Sequence, residues 1–313
     1  MAILKYLQTA EGAPRRIALF DPATLEPLYE LDCQSKEEVD SIVAIARKAQ
    51  KTWGAKPLQE RIKLMLELRD VILQNRERII ETIMRETGKP AHDAQMMEVM
   101  SACDFLSYWC KQAPKTLAKE KMRAPGLMGL EKKVHMIYKP LGVVGVIVPW
   151  NGPFLLTANP CIQAMLAGNA VVAKGSEVTP LSSRLFEELC LEAGIPEGVC
   201  QVLVGDGLTG AALTSSDINK VSFTGSIATG KKVAVACVEN LIPCSLELGG
   251  KDALIVCADA DLDKAAHGAV WGACVNSGHV CSAVERVFVE APVFDAIVEK
   301  VTALAKSVRQ GRH

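Results

Sequence analysis

The chain of 313 residues is longer than one hydrophobic core usually serves and predicts two domains or one large α/β unit. Its 35 basic and 36 acidic residues leave a formal charge of -1, which lacks the electrostatic footprint of a nucleic-acid or anionic-membrane binder and leaves small-molecule chemistry as the expected class. Eleven cysteines, an odd set without CxxC spacing, and no charged-then-apolar leader predict a reducing, cytoplasmic setting, and apolar runs such as 141–148 and 164–173 are too short and too interrupted to span a bilayer.

Ser35-Lys36-Glu37-Glu38 has the form of a capping box, and Val39, Ile42, Val43 and Ala46 follow at helical spacing up to Trp53. Ile62, Met65, Leu66, Ile72, Ile79, Ile80 and Ile83 repeat that period and predict one helix over 58–87, stopped by Gly88 and Pro90. A third helix is expected over 91–112. Residues 119–139 change to short β-prone pieces, clearest at 133–138, around a turn expected at Pro125, Gly126 and Gly129, and read as a hairpin. From 141 onward strands (141–148, 170–174, 199–204, 221–224, 253–257) alternate with helices (153–166, 180–193, 207–214, 226–238). A strand over 287–290 and a helix over 292–308 follow. The alternation predicts an α/β fold with a parallel sheet covered by helices on both faces. There is no internal repeat and no low-complexity tract.

Four motifs carry chemistry. Val148-Pro149-Trp150-Asn151 ends a strand and delivers an aromatic and an amide to the C-terminal edge of the sheet, where ligands of doubly wound folds bind. Asn151 can donate to a developing oxyanion, a contribution of roughly 3 to 4 kcal/mol when preorganised. Read alone, an Asn there more often caps the next helix, a preference that the other motifs reverse. Lys174-Gly175-Ser176-Glu177 offers an ammonium and a carboxylate that can hydrogen-bond an adenosine ribose, while the carboxylate repels a 2'-phosphate. In isolation the same charges would be a solvated loop. Phe223-Thr224-Gly225-Ser226, with Gly230 beyond it, places small residues at a strand-to-helix turn whose free N–H groups can hold a pyrophosphate, although it is not the G-x-G-x-x-G fingerprint. Gly205 and Gly207 give a weaker signal, for which a plain loop is in isolation the better reading.

The fourth motif is split. Glu247 lies between Leu246 and Leu248, before Gly249 and Gly250, an apolar setting expected to desolvate the carboxylate and raise its pKa so that it can take a proton from water. An isolated Glu of this kind is more often bonded to backbone amides. Cys281 sits in Asn276-Ser277-Gly278-His279-Val280-Cys281-Ser282-Ala283, where a turn presents it, whereas most buried cysteines are inert packing. A base and a presented thiol together meet the needs of covalent thiol catalysis.

In this order the motifs resemble the aldehyde dehydrogenase superfamily, from about Phe20 to the last residue. The resemblance implies an aldehyde-dehydrogenase-like variant Rossmann domain plus the start of a second α/β catalytic domain. It divides the chain into an NAD-binding part (1–117 and 140–248), an oligomerisation hairpin (118–139) and the N-terminal part of the catalytic domain (249–313). It assigns Cys281, Glu247 and Asn151 to catalysis and Val148, Pro149, Trp150, Lys174, Ser176, Glu177, Gly207, Phe223, Gly225, Ser226 and Leu248 to the cofactor, with no metal. NAD is favoured and NADP stays open. The implied substrate is a small-molecule aldehyde and the implied assembly a homo-oligomer in a full-length form, with neither nucleic acid nor membrane as partner. By this resemblance Cys281 adds to the aldehyde, Asn151 and the Cys281 N–H hold the oxyanion, hydride passes to the nicotinamide, and water activated by Glu247 releases the acid.

Several positions depart from the family pattern. Gly175 replaces a common Pro, which predicts a more mobile loop; His279 replaces a common Gln; Gly152 and Asn159-Pro160 predict a differently shaped aldehyde entrance. Family members continue well beyond the cysteine strand, so the chain reads as a C-terminally truncated member with strand edges and an apolar face exposed. Three outcomes stay open: a competent dehydrogenase, a non-catalytic nucleotide-binding remnant, and an acyl-transferring relative, the last disfavoured by Glu247.

Overall fold

The segments Val-Val-Gly-Val-Ile and Ala-Val-Val-Ala-Lys are apolar at successive positions, the pattern of strands covered on both faces. In the computed structural model, which describes residues 5–6, 15–123, 126 and 132–311, they are the centre of a five-stranded parallel sheet. Its strands are β6 (Val143–Ile147), β7 (Ala170–Lys174), β8 (Cys200–Leu203), β9 (Lys220–Gly225) and β10 (Cys244–Leu248), in the order β10-β9-β6-β7-β8. Alternation sends Val144, Val146, Val171 and Ala173 to one core and Val143, Ala170 and Val172 to the other.

On the first face lie α2 (Leu58–Gln74), α3 (Arg76–Thr87), α5 (Ser101–Thr116), α6 (Pro153–Leu166) and α7 (Pro180–Glu192). The second face carries α1 (Lys36–Ala55), α8 (Gly207–Thr214) and α9 (Ile227–Glu239). The expected capping box at Ser35 and Glu38 is present at the start of α1. The short turn α4 (Ala91–Asp93) runs through a π-helical stretch, Ala94–Met100, into α5.

Two further strands, β11 (Ala253–Val256) and β12 (Arg286–Val289), pair in parallel as a separate sheet, and α10 (Leu262–Cys274) and α11 (Phe294–Ser307) of the same region pack against each other. An N-terminal antiparallel sheet of β1 (Lys5–Tyr6), β2 (Arg16–Phe20) and β3 (Pro27–Asp32) has no counterpart in the sequence reading. The ladder between β4 (Glu120–Met122) and β5 (Val134–Met136) is antiparallel and exposed throughout; Pro125 and Gly129 of the expected turn lie outside the described residues.

The helix expected over 58–87 is two helices. Asn75 takes φ -93° and ψ 11°, and its Nδ2 donates to the Val71 carbonyl at 3.0 Å and to Glu192 at 3.2 Å. A short amide that bonds its own helix competes with the backbone ladder and breaks it. Among the described residues no helix is long and apolar enough to cross a membrane.

Candidate active site

Parallel strands end together, so β6, β7 and β9 deliver their following loops to one edge of the sheet. There they enclose a cleft of about 790 Å³, in the range of small-molecule and cofactor sites. Val148, Pro149, Trp150, Lys174, Ser176, Glu177, Gly207, Phe223, Gly225 and Ser226 all line it. Lys174 is nearly buried and its Nζ lies 3.1 Å from Glu177 Oε2. Ser226 is the N-cap of α9, accepting from the Thr229 N–H at 3.2 Å. The first N–H groups of such a helix have no intrahelical partner and face an incoming anion.

Close packing shapes this cleft. A Cβ at Gly225 would lie 2.7 Å from the Phe223 ring, and one at Gly230 would lie 2.6 Å from Leu248 Cδ2. Leu248 does not line the cleft; it packs beneath the turn at Gly230. At Gly175 a Cβ would lie 2.8 Å from Ser183 Cβ, so the missing side chain lets α7 approach closely. Asp206, which caps α8, and Lys232, one turn into α9, also line the cleft and were not singled out from the sequence. Their signal was available: Asp206 stands between the two glycines of the weaker motif.

On the far side of Trp150 the chain meets the thiol turn. Asn151 Nδ2 donates to the His279 carbonyl at 2.9 Å, and the Trp150 and His279 rings meet edge to face at 4.8 Å. Asn276 Nδ2 donates to the carbonyls of Asn151 at 2.9 Å and His279 at 3.0 Å. Asn276, Ser277 and Gly278 all have positive φ, so the chain bends tightly before Cys281, which is exposed. Burial, with the Lys89 ammonium near, lowers the His279 pKa and favours the neutral ring. A Cβ at Gly250 would come 3.7 Å from the Cys281 carbonyl, placing the turn after β10 against the thiol turn.

Glu247 departs from expectation. It lies on β10, the outer strand of the sheet, and is exposed, so the apolar flanks Leu246 and Leu248 do not bury it. Among the described residues neither its carboxylate nor the Cys281 thiol has a hydrogen-bond partner. The structure therefore joins Asn151 to the thiol turn directly and brings the β10 turn beside it, while leaving Glu247 free.

The aldehyde dehydrogenase family model matches residues 8–313. Among solved structures, the aldehyde dehydrogenase from Brucella melitensis biovar abortus is 31% identical with a TM-score of 0.90, over 97% of this chain and 62% of its own. The NAD-dependent aldehyde dehydrogenase from Sinorhizobium meliloti is 34% identical, TM-score 0.89, over 98% and 61%. The NAD+ complex of the aldehyde dehydrogenase from Bacillus cereus is 32% identical, TM-score 0.89, over 95% and 60%. The chain thus spans 60% to 62% of the length of these structures. With the family model matched across nearly all of its residues, the chain belongs to the aldehyde dehydrogenase family.

Proposed function

We propose that the protein oxidises an aldehyde to a carboxylic acid with NAD, through a covalent intermediate on Cys281. The observation that carries this reading is one of continuity: the cleft ends at Trp150, and the next residue, Asn151, is hydrogen-bonded into the turn that presents Cys281.

The cleft residues fit a dinucleotide. Lys174 and Glu177 would hold an adenosine ribose, and the Glu177 charge disfavours a 2'-phosphate, selecting NAD over NADP. Gly225, Ser226 and the first turn of α9 would take the pyrophosphate. Val148, Pro149 and Trp150 would line the end toward the thiol, with Ser176, Gly207 and Phe223 completing the walls and Leu248 supporting Gly230. Bound there, NAD supplies a two-electron acceptor.

The rest of the chemistry belongs to the chain. Cys281 adds as thiolate to the aldehyde carbonyl and forms a thiohemiacetal, which becomes a thioester on oxidation. Asn151 uses one amide hydrogen on the His279 carbonyl, and its second is free to donate to the oxyanion beside the Cys281 N–H. Glu247, exposed and unpartnered, takes a proton from the water that attacks the thioester and releases the acid. A hydrolytic base weighs against transfer of the acyl group to another thiol.

On this reading residues 1–117 and 140–248 form the NAD-binding part, 249–313 begin the catalytic part, and 118–139, with its exposed β4 and β5 ladder, joins subunits of a cytoplasmic homo-oligomer. The test is NADH absorbance when the chain meets NAD and a panel of aliphatic, aromatic and carboxylated aldehydes. Turnover supports the proposal and names the substrate class. Calorimetric NAD binding without turnover on any of them would favour a nucleotide-binding remnant instead.

A further inference from the structure

Two charged residues outside the proposed chemistry are almost fully buried against it. Lys89 is 2% exposed and Glu98 is 1% exposed, and Lys89 Nζ lies 2.6 Å from Glu98 Oε1. A buried ion pair is weak evidence for stability, because desolvation offsets much of the attraction; its remaining bonds say what it holds. Glu98 Oε2 accepts from the Phe154 N–H at 2.8 Å and the Leu155 N–H at 3.4 Å, the first turn of α6. Lys89 donates its other bond to the Asn151 carbonyl at 2.8 Å.

That carbonyl is a junction. It accepts from Lys89 and from Asn276, and the His279 carbonyl accepts from both Asn151 and Asn276. Turning the peptide that follows Asn151 would break the bonds to Lys89 and Asn276 together. Without them the Asn151 backbone is no longer held against the thiol turn, where Asn276, itself left-handed, bonds the Asn151 and His279 carbonyls. The α6 terminus, the ion pair, Asn151 and the turn before Cys281 therefore form one bonded chain.

We propose that Lys89 and Glu98 are positioning residues for the oxyanion site: the buried pair fixes the Asn151 peptide to the start of α6, so that one amide hydrogen holds the His279 carbonyl while the other faces the carbonyl attacked by Cys281. This rests on the function proposed above. Neither Lys89 nor Glu98 touches substrate, and both act through Asn151.

The experiment measures single-turnover acylation of the full chain by 4-nitrophenyl acetate without NAD. The Cys281 thiolate attacks the ester carbonyl, the C–O bond breaks, and 4-nitrophenolate leaves and is read by absorbance. Four proteins are compared: the parent, Lys89→Met, Asn151→Ala and the double variant. Displacing a donor by about 1 Å costs on the order of 100-fold, so Lys89→Met should slow acylation by at least about tenfold. Asn151→Ala should slow it by about 100-fold, and the double variant should be no slower than Asn151→Ala alone.

A purely structural role would lower the melting temperature and multiply the two losses. Equal losses from Lys89→Met in both backgrounds, or an Asn151→Ala variant that acylates at the parent rate, would overturn the proposal. Should Lys89→Met fail to fold, Lys89→Met/Glu98→Gln removes both charges while keeping an acceptor for α6, and the same non-additivity is expected. A parent that is not acylated at all refutes the aldehyde dehydrogenase reading and this inference with it, whereas an acylating parent with additive variants refutes this inference alone.

Discussion

The cleft at the edge of the large sheet and the thiol turn are held by different forces. Around the cleft, both faces of the sheet are buried, with Val143, Val146 and residues 170–173 fully out of solvent, and glycines let the turns pack at contact distance. Around the thiol turn the packing is thin. Val256, Ala266, Ala269, Ala283 and Ile297 are buried, but Ile255 is 74% exposed, Trp271 68% and Phe288 52%. What places Cys281 is a set of hydrogen bonds to two carbonyls rather than a core. Packing answers to the apolar volume removed, whereas a polar network fails when one member is removed. Binding of the nucleotide and chemistry on the thiol should therefore separate under mutation.

The largest separation is expected from Cys281→Ala. It should reduce aldehyde oxidation and ester cleavage to background while leaving the NAD dissociation constant, measured by calorimetry, at the parent value; residual aldehyde oxidation would refute the mechanism. Glu247→Gln comes next. It should leave the initial burst of NADH intact and slow steady turnover by about 100-fold, the scale of a lost general base. A burst that disappears with the steady rate would place Glu247 in acylation rather than release.

The same division governs what the sequence reveals. The ends of α6, β7 and α8 match the expected 153–166, 170–174 and 207–214, because two-sided burial writes near-continuous apolar runs, Pro153 marks the start of α6 and Asp206 caps the start of α8. Ten of the eleven expected cofactor residues line the cleft, since motif and turn coincide there, and Leu248 packs just beneath it. The exposure of Glu247 was not foreseen, because flanking leucines report burial only when a strand is covered, and β10 is the outer strand. The bonding of Lys89, Glu98 and Asn276 went unseen for another reason. Their partners lie 62, 56 and 125 residues away, and no local spacing records such a meeting.

Stability should divide along the same line. Phe154 is fully buried, its ring 5.9 Å from that of Phe186 in an edge-to-face pair, and Phe154→Ala should cost about 3 to 5 kcal/mol. Phe288→Ala, on the exposed face of β12, should change stability by no more than about 0.5 kcal/mol. Urea unfolding of both variants decides it. A comparable loss at Phe288 would show that the second sheet is packed as firmly as the first.

The pH dependence of stability has opposite signs in the two regions. Glu86, 3% exposed, accepts from the Leu181 and Ser182 N–H groups at 2.8 Å and from Ser182 Oγ at 2.5 Å, yet burial pushes its carboxyl up to about 7. Between its ordinary 4.5 and about 7, the folded state holds a proton that the unfolded state has released, so stability falls as pH rises through this window. Glu187, which burial also pushes up to about 7, adds to the same slope. In the thiol region Asp263 is shifted the other way, because the Lys300 ammonium holds its carboxyl below 3.8; its contribution is constant across that window and is lost only in stronger acid. Hydrogen exchange followed from about pH 5 to about pH 7, after correction for intrinsic rates, should show protection declining in α7 but not in α10 and α11. Glu86→Gln should flatten the decline in α7, and an unchanged slope in that variant would assign the titration to Glu187 instead.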